Sequence, residues 1–191
     1  MHPIVSNLTT IEKQINDKIS KKINIVAVSK TFKMLDIKPL IDFGHTHYGE
    51  NKVQEAIDKW SEVKINNQKL KLHLIGKLQT NKVKFILPLF DYIHSLDSLK
   101  LAKKISLEQK KKNFKPNIFV QVNIGNEIQK NGIKVEDLEI FLDECKKDYD
   151  LNIIGLMCIP PNNEKTGFYF MEMNKLNKKF DFKDLSMGMS N

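Results

Sequence analysis

The residue in this chain best placed for covalent chemistry is a lysine that closes an apolar strand. The run Val26-Ala27-Val28-Ser29 ends in Lys30. An amine at such a rim is a nucleophile able to form a Schiff base with an aldehyde. Spacing alone reads more simply as a surface lysine snorkelling from a strand end, so Lys30 needs its context before it means more. His45 and His47 stand two apart on a short strand and can share a face, with His73 and His94 on neighbouring strands. No carboxylate falls at a helpful spacing near the His45 pair, so satisfied or exposed histidines are expected, and no metal. Asp42, Glu50 and Glu55 are acid or base candidates, but carboxylates near helix ends are expected to be solvated or capping. No nucleophile-elbow motif supports hydrolase chemistry. Cys145 and Cys158 are far apart and in no metal-like spacing, which fits reduced thiols of a cytoplasmic protein.

These candidates are carried by an alternation of short apolar strands and amphipathic helices, the pattern of a parallel α/β architecture. An opening helix is predicted from about Thr10, where Thr9 and Glu12 have capping-box spacing. Strands are predicted at Ile25 to Lys30, His45 to Tyr48, Leu70 to Ile75, Asp91 to His94, Ile118 to Ile124 and Ile153 to Ile159, with a seventh beginning near Leu185. Helices fall between them. Met34 to Phe43 is one, and Val53, Ala56, Ile57 and Trp60 form the apolar stripe of the next. Later stripes are Val83, Ile86 and Leu87; then Leu99, Ala102 and Ile105; then Leu138, Phe141, Leu142 and Cys145; and last Met173, Leu176 and Phe180. The turn Asn131-Gly132 reads as loop chemistry. Without a Gly-rich dinucleotide turn, the repeats favour a (β/α)8 TIM-type barrel over a doubly wound sheet. Seven strands are counted, so the eighth is missing from this reading. The two edges left open are expected to be an aggregation hazard.

The 191 residues are expected to form a single domain, and their 41% hydrophobic content suits one sizeable core. No stretch is apolar enough to span a bilayer, and Met1 to Thr10 lacks the features of a secretory signal. The net charge of +8 comes entirely from lysine, with no arginine in the chain. Arg dominates bidentate recognition of phosphates and bases, so a dedicated nucleic-acid reader is not expected, and weak nonspecific binding is the most the charge implies. A monomer without a membrane partner is expected.

The motifs together resemble the pyridoxal phosphate homeostasis family, single-domain relatives of the alanine racemase barrel. The resemblance rests on Ala27-Val28-Ser29-Lys30-Thr31, on Tyr48-Gly49-Glu50-Asn51 with Val53-Gln54-Glu55, and on the stretch from His73 to Lys82. Val122-Asn123-Ile124, Gly155-Leu156-Met157 with Ile159-Pro160, and Leu185-Ser186-Met187-Gly188-Met189-Ser190 complete it. It implies pyridoxal 5′-phosphate (PLP) as cofactor, held as an aldimine on Lys30. Asn51 would lie near the cofactor and Met157 would line its pocket. Ser186, Gly188, Met189 and Ser190 would bind the cofactor, and Ser190, in the Gly188-Met189-Ser190 turn, would give its hydroxyl and backbone N–H to the phosphate.

In the family a helix and a final strand follow, ending in an Arg-x-Gly-Ser/Thr segment that faces the pyridine nitrogen and completes the phosphate cup. This segment has no counterpart in the sequence, and the resemblance therefore implies a C-terminally truncated member that holds PLP more weakly. The family role is intracellular PLP and amino-acid balance, without firmly established turnover. The alternative is a PLP-dependent racemase-like enzyme, in which the cofactor supplies the electron sink and Lys30 a proton shuttle.

Overall fold

Each βα repeat lays one strand beside the last, and the result is a seven-stranded, all-parallel sheet in sequence order. The computed structural model describes residues 1–21, 23–161, 163 and 165–188. The strands are β1 (Ala27–Val28), β2 (His47–Glu50), β3 (Lys71–Leu74), β4 (Tyr92–Leu96), β5 (Asn117–Gln121), β6 (Asn152–Cys158) and β7 (Asp184–Met187). The helices are α1 (Pro3–Asn16), α2 (Met34–Phe43), α3 (Val53–Asn66), α4 (Val83–Ile86), α5 (Leu99–Lys112), α6 (Leu138–Asp148) and α7 (Thr166–Lys179). No helix among the described residues is long and apolar enough to cross a membrane.

The sheet curls into a barrel wall. In a flat sheet β4 and β7 would stand about 14 Å apart, three strand spacings of about 4.8 Å. Yet the His94 ring on β4 meets the Ser186 hydroxyl on β7 at 2.8 Å. That contact requires the inner face to close on itself. The outer edges of β1 and β7 have no strand partner among the described residues. Both edges are short, two and four residues, which limits the template they offer to another chain.

Alternation along the strands separates two environments. Tyr48 packs its ring on Trp60 of α3, with centroids 4.8 Å apart. It therefore faces the helical layer, and Glu50 shares that face. His47 and Gly49 face inward instead. Register carries the inner face around the wall, through Gly49 beside His73, His73 beside Tyr92, and Met157 beside Ser186. The main core lies between sheet and helices, where Leu72, Leu74, Ile93, Ile105, Ile118 and Leu138 are fully buried.

Several boundaries differ from expectation, among them β4, which runs to Leu96, and β5, which ends at Gln121 rather than Ile124. The first helix starts at Pro3 rather than near Thr10, because proline at the first turn needs no N–H partner and His2 Nδ1 caps Ile4. Thr9 instead returns its hydroxyl to the Ser6 carbonyl inside the helix. Strand β1 spans two residues rather than six, as an edge strand with a single neighbour. Strand β2 lies two residues later than expected, which moves Glu50 from a loop into the wall.

Candidate functional site

All the described residues singled out for the cofactor stand at one end of the wall, the carboxyl ends of the strands. Lys30 is half-buried two residues after β1, and Asn51 follows β2. Met157 is the next-to-last residue of β6 and is 4% exposed. Ser186 is the third residue of β7, and Gly188 follows that strand. Met189 and Ser190 lie outside the described residues. Lys30 and Gly188 thus sit on the two strands that border the opening of the wall.

The backbone on both sides of Lys30 is clamped by one helix. Lys59 Nζ of α3 donates to the Ser29 carbonyl at 2.9 Å, and the Thr31 N–H donates to Glu55 Oε1 at 2.7 Å. The two clamp residues pair with each other at 3.2 Å, one helical turn apart. Thr31 N–H, as the first cause, and Lys59 hold the Glu55 carboxyl below the usual range. Thr31 takes a φ of 69°, a left-handed conformation that costs a β-branched residue energy. The clamp over-determines this turn, which fixes the direction in which Lys30 leaves the strand.

Beneath the clamp is a buried carboxylate. Glu50 is fully buried, and its Oε1 accepts from Ser29 Oγ at 2.8 Å, Trp60 Nε1 at 2.9 Å and Lys59 Nζ at 3.0 Å. A buried carboxylate needs pairing and hydrogen bonds, which these three donors supply at Oε1, while Oε2 is buried without a hydrogen-bond partner among the described residues. This corrects the expectation that Glu50 is solvated. Its burial was not legible because its donors stand 21 residues before it and nine and ten after, in other parts of the fold. The alternation of Tyr48 and Glu50 on the Trp60 side was the available signal. Of the other carboxylates, Asp42 is exposed and pairs with Lys38.

The inner face holds a second polar group that the reading did not assemble. His47, His73 and His94 are hydrogen-bonded in succession, ending on Ser186. The expectation of satisfied histidines holds for these three, each of which has another histidine among its partners. No cluster of metal-ligating residues occurs among the described residues. Burial pushes His73 down to about 2 and His94 to about 4. Tyr92 stacks on His73 with centroids 4.2 Å apart, and the Phe119 ring lies 4.6 Å from that of His94.

Three features of the rim suit an aldehyde-bearing phosphate ester such as PLP. Lys30 offers an amine on a fixed backbone. Asn51 Oδ1 is buried and has no hydrogen-bond partner among the described residues. Gly188 has open space where a Cβ would stand, so its backbone is approachable. Gly76 serves the same rim sterically, since a Cβ there would meet the Asn51 carbonyl oxygen at 2.2 Å. Two surface grooves of about 330 and 310 Å³ lie in the helical layer, beside α2 and α3 and beside α6, and contain none of these residues.

Residues 4–186 match the family model of the alanine racemase N-terminal domain. A pyridoxal phosphate homeostasis protein of Buchnera aphidicola is 36% identical over 100% of this chain and 89% of its own length. The chain belongs to the pyridoxal phosphate homeostasis family, within the alanine racemase N-terminal fold. The Escherichia coli K12 homeostasis protein is 34% identical, over 86% of this chain and 74% of its own. Among solved structures, PipY of Synechococcus elongatus without PLP superposes with a TM-score of 0.79 at 30% identity, covering 94% of this chain and 87% of PipY. PipY with PLP bound gives 0.76 at 28% identity. An alanine racemase of Clostridium difficile shares the fold alone, with a TM-score of 0.71 at 16% identity over half of its length. The seven-stranded wall is thus the racemase-type barrel wall expected from the sequence.

Proposed function

We propose that residues 1–191 act as a single PLP-binding unit, with the cofactor held covalently on the Lys30 amine. Its role is intracellular PLP and amino-acid balance rather than turnover. The observation that carries this reading is the clamp, which fixes the backbone on both sides of one lysine among thirty-one at the rim where barrel proteins keep their chemistry. The bound PLP of the PipY relative and the homeostasis role for which the other relatives are named support it.

When bound, PLP supplies an aldehyde for the amine and an electron sink. The protein's own part is positional. Glu55 and Lys59 orient Lys30, Glu50 holds Lys59, and Asn51 offers an acceptor on the next strand. Met157 walls the inner face, while Ser186, Gly188, Met189 and Ser190 meet the phosphate. The protein works as a monomer in the cytoplasm, where Cys145 and Cys158, both buried and free, stay reduced.

The test is the absorbance spectrum of purified protein with added PLP, before and after borohydride, beside Lys30→Ala. A new band that borohydride bleaches, absent in the variant, is the expected result. Loss of an α-deuteron from a labelled amino acid, dependent on Lys30, would replace the homeostasis role with racemase-type chemistry.

A further inference from the structure

The inner-face histidines form a file whose contacts run head to tail. His47 Nδ1 lies 2.9 Å from His73 Nε2, His73 Nδ1 lies 2.9 Å from His94 Nε2, and His94 Nδ1 lies 2.8 Å from Ser186 Oγ. The file starts at the first residue of β2 and ends near the last residue of β7, so it crosses the lumen from the base of the wall toward the rim. Tyr92 and Phe119 pack against it, and His94, His47 and Lys64 add to the effect of burial on His73. With their pKa values depressed, His73 and His94 are uncharged near neutral pH. Each then has one N–H and one bare nitrogen.

An uncharged ring between two partners must donate to one and accept from the other. The sense of one junction therefore dictates the next. Two arrangements satisfy all three junctions. In the first, the protons sit on the Nδ1 positions and Ser186 accepts from His94. In the second, His73 and His94 carry their protons on Nε2, His47 Nδ1 accepts, and Ser186 donates to His94.

We propose that this file is a relay of hydrogen-bond sense, in which a phosphate monoester beside Ser186 selects the first arrangement and so sets the protonation of His47 Nδ1 at the far end. The proposal rests on the PLP reading above for the identity of the phosphate ester. A phosphate dianion only accepts hydrogen bonds, so it takes the Ser186 O–H as donor. The Ser186 oxygen then accepts from His94 Nδ1, His94 Nε2 accepts from His73 Nδ1, and His73 Nε2 accepts from His47 Nδ1. Switching from the second arrangement balances without net charge. Each of the three bridging protons crosses its own hydrogen bond, one proton enters Ser186 from water, and one leaves His47 to water. By reciprocity, holding His47 Nδ1 as a donor tightens phosphate binding at Ser186. His73 and His94 are thereby positioning residues for the Ser186 hydroxyl.

The test labels histidine with nitrogen-15 in the full chain and reads, by long-range proton–nitrogen correlation, which nitrogen of each ring is protonated. Without ligand, His73 and His94 should share one sense. Added PLP should bring His94, His73 and His47 to Nδ1–H together, whereas pyridoxal, lacking the phosphate, should leave them where they were. Ser186→Ala should abolish the response at all three rings, and His73→Phe should abolish it at His47 while His94 still responds. A borohydride-trapped cofactor band with His73 and His94 in opposite senses, or with His47 unmoved as His94 changes, would overturn the relay. If no band forms, the PLP reading fails, and titration with inorganic phosphate decides the relay separately. A coordinated change upholds it, and rings that do not respond together refute it.

Discussion

The clamp beneath Lys30 and the histidine file in the lumen are both buried polar groups, yet they are built on opposite principles. The clamp uses fixed charges. Three donors converge on one oxygen of Glu50, and nothing in that arrangement can reverse. Its helical side is compact, since Glu55, Lys59 and Trp60 lie within one turn and a half of a single helix, although their partners Ser29 and Thr31 stand 24 to 30 residues away. The file uses neutral, amphoteric groups from four strands, with partners 26, 21 and 92 residues apart. It fixes where its members stand but leaves their donor sense open. Fixed charge holds a backbone; neutral imidazole passes information along one.

The largest effect expected from breaking this contrast is in the clamp. Lys59→Met leaves Glu50 buried without its counter-ion and should cost about 3–5 kcal/mol in urea unfolding. Adding Glu50→Gln should recover most of that loss, because the uncompensated charge is gone. A double variant as unstable as the single would deny Glu50 its charged role.

The file should answer to pH through its depressed histidines. His94 has its pKa lowered from 6.5 to about 4 in the fold, first by burial. Between those values the unfolded chain binds the proton and the folded chain does not. Stability is therefore intact above about 6.5 and lost as pH falls toward about 4, by on the order of 3 kcal/mol for His94. His94→Gln should reduce that slope by about half, since His73, depressed further, keeps its own share; an unchanged slope would show that the His94 ring titrates normally.

Smaller effects separate holding from orienting. Glu55→Gln weakens the charge-assisted bond from Thr31 N–H and should cost about 1 kcal/mol, with a smaller borohydride-trapped fraction at limiting PLP. Thr31→Gly relieves the left-handed strain and loosens the unfolded chain, a net stabilisation of about 0.5 kcal/mol. If Thr31→Gly also left PLP capture untouched while Glu55→Gln reduced it, the clamp alone would orient the lysine.

Much of the wall was legible because its signals are local. Helix α2 has the bounds that its sequence indicates, and the stripe of Val53, Ala56, Ile57 and Trp60 does form one helix. The position of Lys30 at a strand end needed only the apolar run before it. What was hidden depends on register. Placing β2 two residues early left Glu50 in a loop and broke the alternation that pairs it with Tyr48. The histidine file could not be read without knowing that β4 and β7 meet across a curled sheet, a fact no local pattern encodes.

The central claim is that one lysine among thirty-one carries the cofactor. The most direct measurement is a peptide map of the protein after incubation with PLP and borohydride reduction. The account predicts that the reduced pyridoxyl group is found on Lys30 at stoichiometric yield, and falls when Glu55 or Lys59 is replaced. Label spread over the exposed lysines, with Lys30 no more modified than the rest, would contradict it.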